Sequence, residues 1–173
     1  TVARRIVETA RAVNPGIVVA CTRKTFPGTK AISIKAILTA GAIPHRLGLS
    51  ETVLVFPEHR AFLAEEDPAS ALARLKIACP ERKIVVEVNN LDEAVLAARA
   101  GADVVQLEKL PPEMVAAVVA WLADTVPSVK VAAAGGVKLA NAADYACAGA
   151  HILVTSAPYF APPADIKVSI LAC

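Results

Sequence analysis

The sequence predicts an α/β fold, a TIM-like parallel α/β barrel with fewer than eight strands. Three observations point there. Apolar residues fill 55% of the 173 positions while aromatic ones fill only 4%, so the core must be built from the Ala, Val, Leu and Ile typical of buried parallel strands under helices. β-Branched runs alternate with helical patterns along the whole chain. The later repeating unit is short and regular, with "LDEAVLAARAGADVVQL" (91–107) reading as one helix, a glycine turn and one strand. Strands joined by single helices require right-handed parallel crossovers, which leaves a barrel or an open doubly wound sheet. The compact units favour the barrel, and the length suits one domain, residues 1–173.

The elements follow in order. "ARRIVETARAV" (3–13) places Ile6, Val7, Ala10 and Val13 on one helical face and is stopped by "NPG". Strands are expected at 17–21, 53–56, 84–88, 103–107, 129–134 and 151–155, with a last one at 166–170. Helices at 31–40, 58–76, 91–100, 111–124 and 139–148 fill the intervals. His151 opens a strand and reads as structural. Trp121, on "VVAWLADTV", reads as a helix-to-barrel packing residue.

Several function classes fall away. No window approaches about 18 uncharged apolar residues, and the first twenty carry Arg4, Arg5, Glu8 and Arg11, so neither a membrane span nor a signal peptide is expected. Cys21, Cys79, Cys147 and Cys173 are far apart and form no CxxC or Cys/His pair, which argues against a disulfide framework or a zinc site and for a reducing cytoplasm. Net charge is +2, but residues 21–60 hold six Lys/Arg against two Glu, and residues 61–173 hold nine against thirteen acids. The early cations sit among Gly, Pro and His in "TRKTFPGTK" and "AGAIPHRLGL", which suggests shaped anion-binding loops rather than a solvated face. The cluster is too small and too poor in aromatics for nucleic acid.

In a parallel barrel the chemistry lies at the carboxyl ends of the strands. Strand 17–21 leads into Arg23 and Lys24. Glu87 lies near the end of 84–88, where a buried acid needs a cationic partner or a bound cation such as Mg²⁺. Glu108 follows 103–107, and Gly135 and Gly136 follow 129–134 in a turn of the kind whose N–H groups bind phosphate.

Taken together, "TRKTFPG", "AGAIPHRLGLSETVLV", "EVNNLDEAVLAARAGADVVQLE", "AAAGGVKLANAADYA" and "PADIKVSI" resemble, in order and almost without gaps, the C-terminal barrel domain of quinolinate phosphoribosyltransferases. The wording "TRKTFPGTK" and "PHRLGLSETVLVF" is most similar to the ModD branch, pyrophosphorylases associated with molybdenum transport. The resemblance implies Mg²⁺-dependent transfer of phosphoribose from phosphoribosyl pyrophosphate (PRPP) to a small aromatic acid, a pentosyltransferase step of the kind used in NAD biosynthesis. It places Arg23, Lys24, His45 and Arg46 at the carboxylates or phosphates. Glu87 and Glu108 fall at Mg²⁺ and the ribose hydroxyls, with Lys24 beside them in the catalytic set. Gly135, Gly136 and Ser156 fall at the 5-phosphate. Homodimers or higher assemblies are implied, as is an N-terminal α+β domain that this chain would lack.

The departures are specific. Phe56 stands where the family has a lysine, Glu108 where it has Asp, Ala134 where it has Ser, and Ser156 where it has Gly. Loss of the lysine leaves a second reading open, an accessory protein of molybdenum utilisation with altered or no catalysis. His59 matches a family histidine but lies at a helix start, which suits capping or support better than catalysis. Lys30 and Lys35 open a helix within reach of a phosphate.

Overall fold

A computed structural model of the chain describes residues 1–48, 51–63, 65–163 and 165–171. Among these residues seven strands form one parallel sheet: β1 (Val18–Cys21), β2 (Ile43–Pro44), β3 (Val53–Val55), β4 (Ile84–Val88), β5 (Val104–Glu108), β6 (Lys130–Ala134) and β7 (Ile152–Thr155). Their order is β2-β1-β7-β6-β5-β4-β3. The last strand lies beside the first, with Val18 opposite Ile152 and Cys21 opposite Thr155, so the sheet follows the cyclic order of a barrel and not that of a doubly wound sheet. β2 and β3 are the two edges, so the barrel is open along the seam between them.

Among the described residues seven α-helices accompany the strands: α1 (Val2–Val13), α2 (Lys30–Thr39), α3 (Pro57–Ala61), α4 (Pro68–Ala78), α5 (Leu91–Arg99), α6 (Pro112–Thr125) and α7 (Ala142–Cys147). A short 3-10 helix, Ala157–Phe160, follows β7. Local signals fix several boundaries. Thr1 caps α1 through the Arg4 N–H at 3.3 Å. Asn90 caps α5 by accepting from the Glu93 N–H at 2.8 Å, while the Glu93 carboxylate accepts from Asn90 Nδ2 in return.

The two faces of the sheet are packed differently. Outward-facing Val19, Val86, Val88, Val105, Leu107 and Leu153 are almost fully buried against the helices in one continuous core. The inward face instead gathers Ala132, Ala134 and Val154, with Val104 and Ile152, into a small separate cluster. Methyl groups do not fill a barrel, so the interior stays hollow toward its carboxyl rim.

Three expectations are corrected. The helix expected at 58–76 is two, because Pro68 disfavours helical backbone at Asp67, and Asp67 caps α4 by accepting from the Ser70 N–H at 3.0 Å. Residues 166–170 form no strand: β7 is already flanked by β1 and β6, and Ile166, Val168 and Ile170 are largely exposed. β2 was not anticipated; it is two residues long, and at a sheet edge Pro44 costs no ladder bond.

Smaller points agree with the sequence. His151 is structural, its Nδ1 accepting from the Val131 N–H at 3.1 Å. Trp121 packs on the core under the Arg99 guanidinium, 5.4 Å from the ring centre. Cys21, Cys79 and Cys147 are free thiols, and Cys173 lies outside the described residues. No described helix is long and apolar enough to cross a membrane.

Removing a fully buried outward side chain should weaken the whole fold. Leu153→Ala should lower the unfolding free energy by about 2–5 kcal/mol in urea titrations with an unchanged denaturant slope.

Candidate active site

Each of the seven strands delivers a residue to the wall of one cavity of about 1250 Å³ at the carboxyl rim. Arg23 and Lys24 follow β1, His45 and Arg46 follow β2, and Phe56 follows β3. Glu87 and Glu108 lie on β4 and β5, Gly135 and Gly136 follow β6, and Ser156 follows β7. Every site position expected from the sequence therefore faces the same space. Lys30 also reaches it, with its Nζ donating to the Leu47 carbonyl at 2.8 Å, whereas Lys35 does not line it.

One end is cationic. Arg23, Lys24 and Arg46 have no ion-pair partner within 4.0 Å among the described residues. Burial and the neighbouring Arg23 hold the Arg46 guanidinium below its ordinary pKa. His45 is pushed down to about 4, first by burial and then by Arg46 and Arg23. It is therefore neutral near pH 7 and acts as a hydrogen-bonding group rather than a fourth charge. Cations crowded together without ion-pair partners make an anion site, although the Glu51 charge partly offsets the effect at Arg46. The Glu51 carboxylate shapes the adjoining loop by accepting from the Leu47 and Gly48 N–H groups, both at 3.1 Å.

The other end is acidic. Glu87 lies opposite Gln106 in the β4–β5 register, and Gln106 Nε2 donates to Glu87 Oε2 at 2.7 Å. The Glu87 carboxyl is raised above its ordinary range by burial, with the Glu108 and Glu58 charges adding to the effect; the Gln106 hydrogen bond and Lys24 oppose it. Arg60 holds the strand end from behind, its Nη2 donating to the Glu87 carbonyl and the Glu93 carboxylate at 3.1 Å each. Two carboxylates supply hard oxygen donors, and no cluster of three or more His, Cys, Asp or Glu able to hold a metal occurs among the described residues. That donor set fits Mg²⁺, which commonly binds one or two carboxylates and takes its remaining ligands from substrate phosphates and water.

The glycine turn has two separate uses. At Gly135, with φ +76°, an added Cβ would lie 2.6 Å from Glu108 Oε1 and from Lys109 Cγ, so the absence of a side chain makes room for Glu108. At Gly136, with φ +88°, a Cβ would meet nothing within 4 Å, so this residue borders open space. The Gly136 carbonyl is held by Asn141 Nδ2 at 3.2 Å and the Val137 carbonyl by Thr155 Oγ1 at 2.6 Å. The N–H groups of Gly136 and Val137 have no acceptor among the described residues. With carbonyls tied back and N–H groups free, the turn is arranged for an anion.

Sequence reasoning did not single out Gln106, Thr155, Asn141 or Lys109. Gln106 and Thr155 are the two buried polar residues of the described chain, and Gln106 was visible as a polar letter at an inward position of "DVVQLE". Lys109 has φ +56°, the left-handed region in which a side chain is uncommon, and its N–H donates to the Ala134 carbonyl at 2.8 Å. His59 does cap: its Nδ1 accepts from the Phe56 N–H at 3.0 Å, and its ring lies 5.6 Å from that of Phe56.

Comparison with known proteins identifies the family and the fold. Residues 1–169 match the model of the quinolinate phosphoribosyl transferase C-terminal domain, and the chain belongs to that family. It is 57% identical over 143 residues to the "Putative pyrophosphorylase ModD" of Rhodobacter capsulatus, covering 82% of this chain and 54% of that protein. It is 36% identical over 169 residues to the human nicotinate-nucleotide pyrophosphorylase [carboxylating], covering 96% of this chain and 56% of that protein. The crystal structure of NadC from Streptococcus pyogenes shares the fold at a TM-score of 0.77 and 22% identity, over 89% of this chain and 52% of that one. The chain thus spans a little over half the length of these relatives.

Two outcomes are expected. Gly135→Ala should displace Glu108 and strain the turn, costing about 1–3 kcal/mol in thermal or urea melts. His45 takes up its proton more readily when unfolded, near pH 6.5, than when folded, near pH 4. Its contribution to stability is therefore fully present above pH 6.5 and is lost as pH falls toward 4, and His45→Gln should flatten that part of the stability profile.

Proposed function

We propose that this barrel transfers phosphoribose from PRPP to a small aromatic acid of the quinolinate type, as part of a Mg²⁺-dependent pentosyltransferase. The observation that carries the reading is the polarity of one cavity: unpaired cations at one end, carboxylates at the other, and a glycine turn with free N–H groups between strands β6 and β7. PRPP and an aromatic acid together present anions, hydroxyl donors and a terminal phosphate, which is the complementary set.

In this reading Arg23 and Arg46 grip carboxylate or phosphate groups in paired hydrogen bonds, with Lys24 as a point charge and neutral His45 as a donor. Gly135, Gly136 and Ser156 receive the 5-phosphate. A ring nitrogen of the acid forms the new bond to C1 of the ribose as the bond from C1 to the pyrophosphate oxygen breaks, and pyrophosphate leaves with the electron pair. Positive charge grows on the sugar ring, where Glu87 and Glu108 stabilise it. Mg²⁺, held by Glu87 and Glu108 with the phosphates, would neutralise charge on the leaving group. A homodimer or higher assembly is part of the proposal, consistent with the exposure of Phe26, Ile32 and Ile43 around α2. A cytoplasmic setting suits the unpaired thiols.

Phe56 favours a second reading of the acceptor. It puts an aromatic ring on the cavity wall where the family carries a cation, which suits a less charged acid or an accessory role in molybdenum utilisation.

PRPP with Mg²⁺ should raise the melting temperature of the full-length protein, by an amount equivalent to about 2.7 kcal/mol at a hundred times Kd. Glu87→Ala should abolish the shift, and absence of any shift with millimolar PRPP would count against the enzyme reading. Phe56→Lys should raise kcat/KM for quinolinate about ten- to a hundredfold, the worth of one charge-assisted hydrogen bond. Efficient wild-type turnover unchanged by the substitution would return the protein to plain quinolinate specificity.

A further inference from the structure

Gln106 is 4% exposed and lies in the middle of the inward face of β5, opposite Glu87 on one side and Ala132 on the other. Its orientation is settled by chemistry. A carboxylate only accepts, so the amide must turn its Nε2 to Glu87, and it does so at 2.7 Å. That leaves Oε1 buried with no donor among the described residues. Buried polar atoms are rarely left in this condition, since an unmet carbonyl destabilises the folded chain. A methionine would fill nearly the same volume without that cost. The amide is therefore explained better by what enters the cavity than by what holds the barrel together.

The chemistry of the wall says what must enter. Glu87, Glu108 and Gln106 Oε1 are all acceptors, and Gln106 Nε2 already turns one of its two N–H groups to Glu87. An aromatic acid presents carboxylates, which are acceptors too and are repelled here. Sugar hydroxyls present donors, and Ala134 on β6, opposite Glu108 in the register, gives the cavity wall only a methyl group there.

We propose that Gln106 is a positioning and specificity-determining residue for the sugar: its Nε2 fixes the Glu87 carboxylate, and its Oε1 accepts a hydrogen bond from a ribose hydroxyl or from the water that hydroxyl carries in. This rests on the phosphoribosyl reading of the site.

The test pairs a side-chain change with a ligand change. Wild type and Gln106→Met, both as full-length protein with Mg²⁺, are titrated calorimetrically with ribose 5-phosphate, 2-deoxyribose 5-phosphate and 3-deoxyribose 5-phosphate, and both are melted without ligand. The expected result is a melting temperature at or above wild type for Gln106→Met, with ribose 5-phosphate binding about tenfold weaker. One deoxy sugar should bind wild type about tenfold more weakly than ribose 5-phosphate and should lose nothing further in the variant. If Gln106→Met does not fold, Gln106→Asn, whose shorter arm reaches neither partner, should show the same selective loss. Equal losses for all three sugars together with a lowered melting temperature would make Gln106 a structural residue and overturn the proposal, as would unchanged binding. Failure of wild type to bind any of the sugar phosphates or PRPP would overturn the phosphoribosyl reading and this inference together.

Discussion

Ala132 and Ala134 put methyl groups on the inward face of β6, where a closed parallel barrel ordinarily carries Val, Ile or Leu. The stability of the fold is therefore supplied from the outward face, where Val105, Leu107 and Leu153 are sealed under the helices. The inward face is left free to hold polar groups. Glu87, Gln106 and Glu108 would be costly intruders in a filled barrel; in a hollow one they line a cavity open at the rim. Parallel pairing then does the rest, because it brings seven strand ends, and so seven loops, to the same rim.

That division also explains how charge is arranged. The cations come from the loops after β1 and β2, at one edge of the open sheet, and the carboxylates from β4 and β5, nearer the other edge. Separated across the cavity, Arg23, Lys24 and Arg46 form no ion pair with Glu87 or Glu108 among the described residues. Arg46 is lowered first by burial and then by its neighbour Arg23, and Glu87 is raised first by burial, with Glu108 adding to it. Both disfavoured charges are relieved by a ligand that is anionic at one end and brings hydroxyls, or a cation, to the other.

Much of this was legible in the sequence. The strands were placed within a residue or so because buried parallel strands read as short runs rich in Val and Ile, and the rim residues followed from the rule that chemistry lies at strand ends. What escaped had physical causes. β2 is only two residues long, so it has no period to detect. Pro68 was a visible break, but the apolar pattern either side of it suggested one helix. The alternation in "IKVSI" has the period of a strand, yet β7, the strand just before it, is already paired on both sides, by β1 and β6. Gln106 and the double use of the Gly135–Gly136 turn depend on contacts between β4, β5 and β6, which no local pattern encodes. The neutrality of His45 likewise arises from burial beside Arg46 and Arg23, not from the residue type.

The central claim is that small inward side chains create the binding space, and Ala134→Leu tests it most directly. Calorimetric titration of PRPP with Mg²⁺ into the folded variant should show affinity reduced at least about a hundredfold, because the added side chain occupies the space beside Glu108, with the melting temperature within a few degrees of wild type. Wild-type affinity in a folded Ala134→Leu protein would contradict the account.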